Sequence, residues 1–143
     1  MNKLIKSIKR IEKIAYKDVS YMRQLKYAYS INDIKEYMET EKIEIYSNSY
    51  SYMLIGITGD EMEIGDIATI KGLSLADVSS MLSFINKVIV KYNLSYITCD
   101  MREKTSYRLL PYICRKLPAK ILLDSEYNWG SEVMHEIRLQ VLN

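Results

Sequence analysis

The sequence predicts an α+β fold, a mixed central sheet flanked by helices, in the order β-α-α-β-β-β-α-β-α-β-β when the first element is taken as a strand. Three observations carry this. Apolar residues recur at helical spacing over 77–92 and again over about 105–117. Runs rich in β-branched and aromatic residues fill most of 43–70, 95–101 and 119–141. The two kinds of segment interleave, and no Gly/Ser/Pro-rich linker or fixed-period repeat separates them. The chain has 143 residues, and a chain of about 150 residues buries roughly 68–70% of its unfolded surface. One domain spanning 1–143 is therefore expected.

Taken in order, the first element stays ambiguous. Residues 7–16 alternate loosely as a strand would, yet Leu4, Ile8, Ile11 and Ala15 also form a helical stripe. Asp18 then suits the N-cap of a helix carrying Val19, Met22, Leu25 and Tyr29, and Ser30 and Asn32 open a second helix with Ile34, Tyr37 and Met38. From Lys42 the period drops to two. IEIYSNS, YMLIGIT and EMEIGDIATI read as antiparallel hairpin strands separated by Asn48 and by Gly59-Asp60. In the third of these, strict alternation puts Asp66 on the face of Met62, Ile64, Ala68 and Ile70. A bulge at Gly65-Asp66 would remove that conflict.

Ser74-Leu-Ala-Asp77 has capping-box spacing with Asp in place of Glu, and it opens a helix whose apolar face runs from Val78 to Ile89 and ends near Asn93. SYITCDM is a compact strand. The next helix runs from about Thr105 to Leu117, stopped by Pro118 and bent or begun by Pro111. The tail supplies strands at AKILLDS and EVMHEIRLQV, joined by a loop EYNWG in which Trp129 either forms a binding surface or folds over the core.

Composition excludes more than it proposes. Twenty Lys+Arg against 18 Asp+Glu give a net charge of +2, too small to demand a nucleic-acid or membrane partner. The basic start, with Lys3, Lys6, Lys9, Arg10 and Lys13, could touch phosphate, although a solvated face is the commoner meaning of such a run. Two cysteines make neither a disulfide framework nor a ligand set, which suits a reduced, cytoplasmic setting. No membrane-length apolar run occurs, and MNKLIKSIKR lacks the apolar core of a secretory signal. Thirteen Tyr beside one Trp and one Phe, with many Ile, Lys and Asn, suggest an AT-rich coding sequence, as in a low-GC bacterium or its phage. The single histidine, His135, alternates with Val133, Ile137, Leu139 and Val141 and reads as a satisfied core residue, with no metal set built on it. Cys99 reads as a packed thiol, and Asp100 as a carboxylate at a strand end.

This succession of elements resembles the GNAT family of N-acetyltransferases, most closely from Tyr52 to Leu117. The resemblance implies transfer of an acetyl group from acetyl-CoA to a primary amine of a protein or small molecule, by direct attack in a ternary complex. It implies that EMEIGDIATI offers backbone amides to the acyl-CoA and that KGLSLAD cradles its pyrophosphate, through Ile70, Lys71, Gly72, Leu73, Ser74 and Asp77. The family pattern Arg/Gln-x-x-Gly-x-Gly/Ala falls on Ser74, Asp77 and Ser79, so no glycine survives there. Asp77 brings a carboxylate to the amides a pyrophosphate would use. Of the second family motif only the tyrosine matches, at Tyr112, which would protonate the departing thiolate, with Tyr107 one turn earlier as its substitute. Glu63 or Asp66 would take the proton of the amine. The competing expectation is a non-catalytic module of the same fold, acting through the Trp129 loop or the basic start.

Overall fold

A computed structural model describes residues 42–48, 50–69 and 74–142. The ambiguous first element, the two helices expected between Asp18 and Met38, and Ile70–Leu73 lie outside the described residues. The elements are β1 (Lys42–Ser47), β2 (Ser51–Thr58), β3 (Glu61–Thr69), α1 (Leu75–Tyr92), β4 (Tyr96–Arg102), α2 (Glu103–Lys116), β5 (Ala119–Trp129) and β6 (Glu132–Val141). The six strands form one mixed sheet in the order β1-β2-β3-β4-β6-β5. The chain divides into two compact units, Met1–Ile57 with Gly65–Met81 and Thr58–Ile64 with Leu82–Asn143. Among the described residues no helix is long and apolar enough to cross a membrane.

In the first unit β1 and β2 pair antiparallel from Lys42↔Ile57 to Ser47↔Tyr52. Asn48 makes the reversal: its Oδ1 accepts the amides of Tyr50 at 3.0 Å and Ser51 at 2.8 Å, an Asx-type turn that fixes the register of the hairpin. Ser51 to Ile55 are buried without interruption, so β2 is covered on both faces. On β3, exposure alternates through Glu63, Gly65 and Ile67. Ile67 thus lies on the exposed face with Glu63.

The second unit begins with the Gly59-Asp60 turn, where only Gly59 has positive φ (60°), the requirement of a II′-type hairpin. The parallel β3–β4 ladder spans Glu61↔Tyr96 to Ile64↔Cys99. β4 then pairs antiparallel with β6, and β6 with β5. The end of α1 is a Schellman motif: Asn93 takes φ 53°, and the Leu94 amide reaches the Ile89 carbonyl at 3.0 Å. Leu94 and Ile89 are both buried, which supplies the apolar contact that usually accompanies this cap.

Two expectations are corrected here. Helix α2 starts at Glu103 and encloses Pro111, so of the two readings of that proline, a bend within the helix or its start, the second is excluded. The ring leaves the Tyr107 carbonyl without its i+4 amide, a loss borne because Ser106, Leu110 and Leu117 bury the same face on either side. EYNWG is not a loop: β5 continues to Trp129, which pairs with Glu132, and Gly130 (φ 63°) with Ser131 alone makes the turn.

Candidate functional site

The start of α1 is built by its own sequence. Ser74 Oγ accepts the Asp77 amide at 3.2 Å, and Asp77 Oδ2 accepts the Ser74 amide at 2.8 Å, the reciprocal arrangement the spacing predicts. Ser74 Oγ–H also donates to Asp77 Oδ2, at 2.9 Å. The Tyr50 hydroxyl donates to Asp77 Oδ1, and this bond raises the tyrosine's pKa above the ordinary phenol value because its anion would face a carboxylate. The Val78 amide is taken by the Ser74 carbonyl at 3.1 Å. Asp77 is therefore engaged on both oxygens, and the amides of the first turn are partly committed to the chain itself.

Of the acid–base candidates, Glu63 is exposed on β3 directly opposite Thr98. Two residues earlier on the same face, Glu61 accepts the Thr98 hydroxyl and pairs with Arg138 Nε at 3.4 Å. The Arg138 guanidinium lies 4.4 Å from the Tyr96 ring centroid, completing a polar network on this face of the second unit. Asp66 belongs to β3, and its side chain lies outside the described residues. Tyr112 is half-buried on α2, with the Lys116 ammonium 5.8 Å from its ring centroid. Tyr107 is 70% exposed and donates its hydroxyl to Glu103 Oε1 at 3.1 Å, so it serves a different cluster.

That cluster forms around His135, and sequence reasoning missed it. The ring is buried, and Nδ1 lies 2.6 Å from Asp124 Oδ1. Among the described residues Nε2 is a buried side-chain nitrogen with no hydrogen-bond partner, 3.6 Å from Glu103 Oε1. His135 is buried as expected, and what its alternation did not show is that a carboxylate stands by each ring nitrogen, Asp124 at Nδ1 and Glu103 at Nε2. Its pKa is raised, chiefly by the bond to Asp124, while burial pulls the other way and Glu103 adds to the rise. The Tyr107 ring meets the imidazole edge-to-face at 5.8 Å.

The carboxylates reach His135 through a bulge. The β5–β6 register runs Ala119↔Val141, Lys120↔Gln140, Ile121↔Leu139, then jumps to Leu123↔Arg138, leaving Leu122 as an extra residue. Without it, Leu123 and Ser125 would continue on the face of Leu139. With it, Asp124 stands opposite Ile137 and Glu126 opposite His135. The bulge with a consequence for side-chain chemistry lies in β5, where alternation gave no sign of one.

No family model matches the sequence, and no curated protein matches it. Solved structures do. The chain is similar to Ard1 from Thermoplasma volcanium, with a TM-score of 0.63 and 15% identity over 96% of this chain and 93% of that one. A GNAT family acetyltransferase from Listeria monocytogenes gives a TM-score of 0.56 and 10% identity, over 95% of this chain and 90% of that one. A third, from Elizabethkingia anophelis with acetyl-CoA bound, gives 0.52 and 13%, covering 80% and 84%. Two of these likenesses span nearly all of the chain and the third 80% of it, at identities where only the backbone plan persists, and the mixed sheet with its parallel β3–β4 pair belongs to that plan: the chain has the GNAT acetyltransferase fold.

Proposed function

We propose that the protein is an acyl-CoA-dependent N-acetyltransferase. The nitrogen of a primary amine attacks the thioester carbonyl of acetyl-CoA, the C–N bond forms, the C–S bond breaks, and the products are an N-acetylated amine and free CoA. The observation that supports this reading is the likeness to acetyltransferase structures over 95% of the chain. Glu63, an exposed carboxylate on β3, supports it as acceptor of the ammonium proton, directly or through water, with Asp66 on the same strand as the second candidate. Tyr112 supplies a phenolic proton for the thiolate.

Ser74 and Asp77 do not fit as pyrophosphate ligands in this geometry, because the carboxylate of Asp77 already occupies the positive end of α1. The cradle we propose therefore rests on Ile70, Lys71, Gly72 and Leu73, ahead of the cap. Calorimetric titration with acetyl-CoA, followed by release of the CoA thiol across a panel of primary amines, tests the reading. Saturable binding and amine-dependent release are expected. No binding at acetyl-CoA up to about 1 mM, the upper end of ordinary KM values, would overturn the reading in favour of a non-catalytic module.

A further inference from the structure

We propose that His135, Glu103 and Glu126 form a binding site for one divalent transition-metal ion of the zinc class, with His135 Nε2 and one oxygen of each carboxylate as ligands. One candidate ligand atom from each of the three lies within 4.8 Å of the other two. The imidazole, more than the acidic residues, carries the assignment: it is 6% exposed, and among the described residues its Nε2 has no hydrogen-bond partner while lying 3.6 Å from Glu103 Oε1. A buried polar atom without a partner is costly and calls for an explanation. A separation of 3.6 Å is long for a hydrogen bond, but two ligands of a tetrahedral ion at about 2.1 Å each sit roughly 3.4 Å apart.

The surroundings are those a metal-binding histidine needs. With a proton on Nδ1, held by Asp124 Oδ1 at 2.6 Å, the Nε2 lone pair is left as a donor to metal. Carboxylate, imidazole and ion then stand in line, the arrangement that fixes tautomer and ring orientation at most such sites. Glu103 is oriented in turn by the Tyr107 hydroxyl, 3.1 Å from its Oε1. Glu126 is exposed and free to draw inward to close the longer distances. The Leu122 bulge, which turns Asp124 and Glu126 toward His135, is of the kind that re-aims side chains beside functional sites. One imidazole with two carboxylates favours late first-row divalent ions over Mg2+ or Ca2+, and three protein ligands leave a position for water.

The test uses full-length protein freed of any affinity tag and prepared metal-free, titrated with Zn2+ by calorimetry and with Co2+ by visible absorption. One ion per chain and a d–d spectrum of four- or five-coordinate Co2+ are expected, displaced by Zn2+. Glu126→Gln, at an exposed position that should not affect folding, is expected to weaken binding at least about tenfold, and Asp124→Asn by about 10–100-fold. His135→Gln should abolish the spectrum, whereas Glu132→Gln, whose partner is Arg102 at 3.3 Å, should leave it unchanged. Absence of binding to folded wild type would overturn the proposal. So would binding that Glu126→Gln leaves intact, or binding of Mg2+ as tight as that of Zn2+.

Discussion

Replacing Asp77 by Ala should loosen the start of α1 and, on the proposed function, open it to the substrate's pyrophosphate. The carboxylate accepts the Ser74 amide at 2.8 Å in an exposed setting, a bond worth about 0.5–1.5 kcal/mol. Its charge at the helix N-terminus adds about 0.3–1 kcal/mol. Alanine returns about 0.5 kcal/mol through better helix propensity, so a net loss of about 0.3 to 2 kcal/mol is expected. For a chain of this length that is about 1–7 °C in Tm, read by far-UV circular dichroism. Acetyl-CoA affinity should move the other way, rising about two- to fivefold as a like charge worth about 0.3–1 kcal/mol leaves the phosphate's path. Asp77→Asn keeps an acceptor oxygen and should lose less stability while gaining the same affinity. A Tm unchanged within experimental error would refute the capping argument. Weakened acetyl-CoA binding would refute the claim that Asp77 competes with the pyrophosphate.

Tyr112→Phe should keep the fold and acetyl-CoA affinity while lowering acyl-transfer turnover by about 10²–10⁴-fold, the usual contribution of a general acid; unchanged turnover in a stable variant would remove Tyr112 from the mechanism. Burial pushes the Cys99 thiol up to about 12, with Asp100 and Cys114 adding to the rise, while Cys114, also raised by burial, is half-exposed. Native protein should therefore expose one thiol, Cys114, to a disulfide reagent at pH 8, with Cys99 reacting only on unfolding. Since the folded pKa of Cys99 lies above its unfolded value of 9.0, its contribution to stability is full below pH 9 and declines as pH rises toward 12. A Cys99→Ala variant should lose that part of the alkaline decline. Pro111→Ala should restore an amide to the exposed interior of α2 and stabilise the protein by about 2 kcal/mol, the helix gain of about 3 less an unfolded-state entropy of about 1; a lower Tm would show that the ring packs in a way its exposure does not suggest. A single unfolding transition is expected, because the boundaries between the two compact units at Ile57/Thr58, Ile64/Gly65 and Met81/Leu82 cut through β2, β3 and α1; two resolved transitions would refute it.

The sequence by itself determined the features written in local chemistry. Ser74 and Asp77 are three residues apart, and the capping box follows from that spacing alone. Asn93 ends α1 because an asparagine tolerates positive φ, and Gly59 closes the second hairpin for a similar reason. Alternation located the strands, and element order was enough to resemble the fold the structure has. Where local signals compete, the tertiary structure decided. Pro111 reads as either a bend within the helix or its start, and the buried face carried by Ser106, Leu110 and Leu117 decides for a helix that runs past it. EYNWG reads as a loop, but pairing with β6 gives its backbone a ladder as far as Trp129. The His135 cluster was illegible for a stricter reason. Its members stand at 103, 124, 126 and 135, and they meet only because α2 lies against β6 and one extra residue, Leu122, reverses which side chains of β5 face the histidine. A one-residue register shift exchanges the two faces of a strand, and nothing in the order ILLDSE states which leucine will be left unpaired.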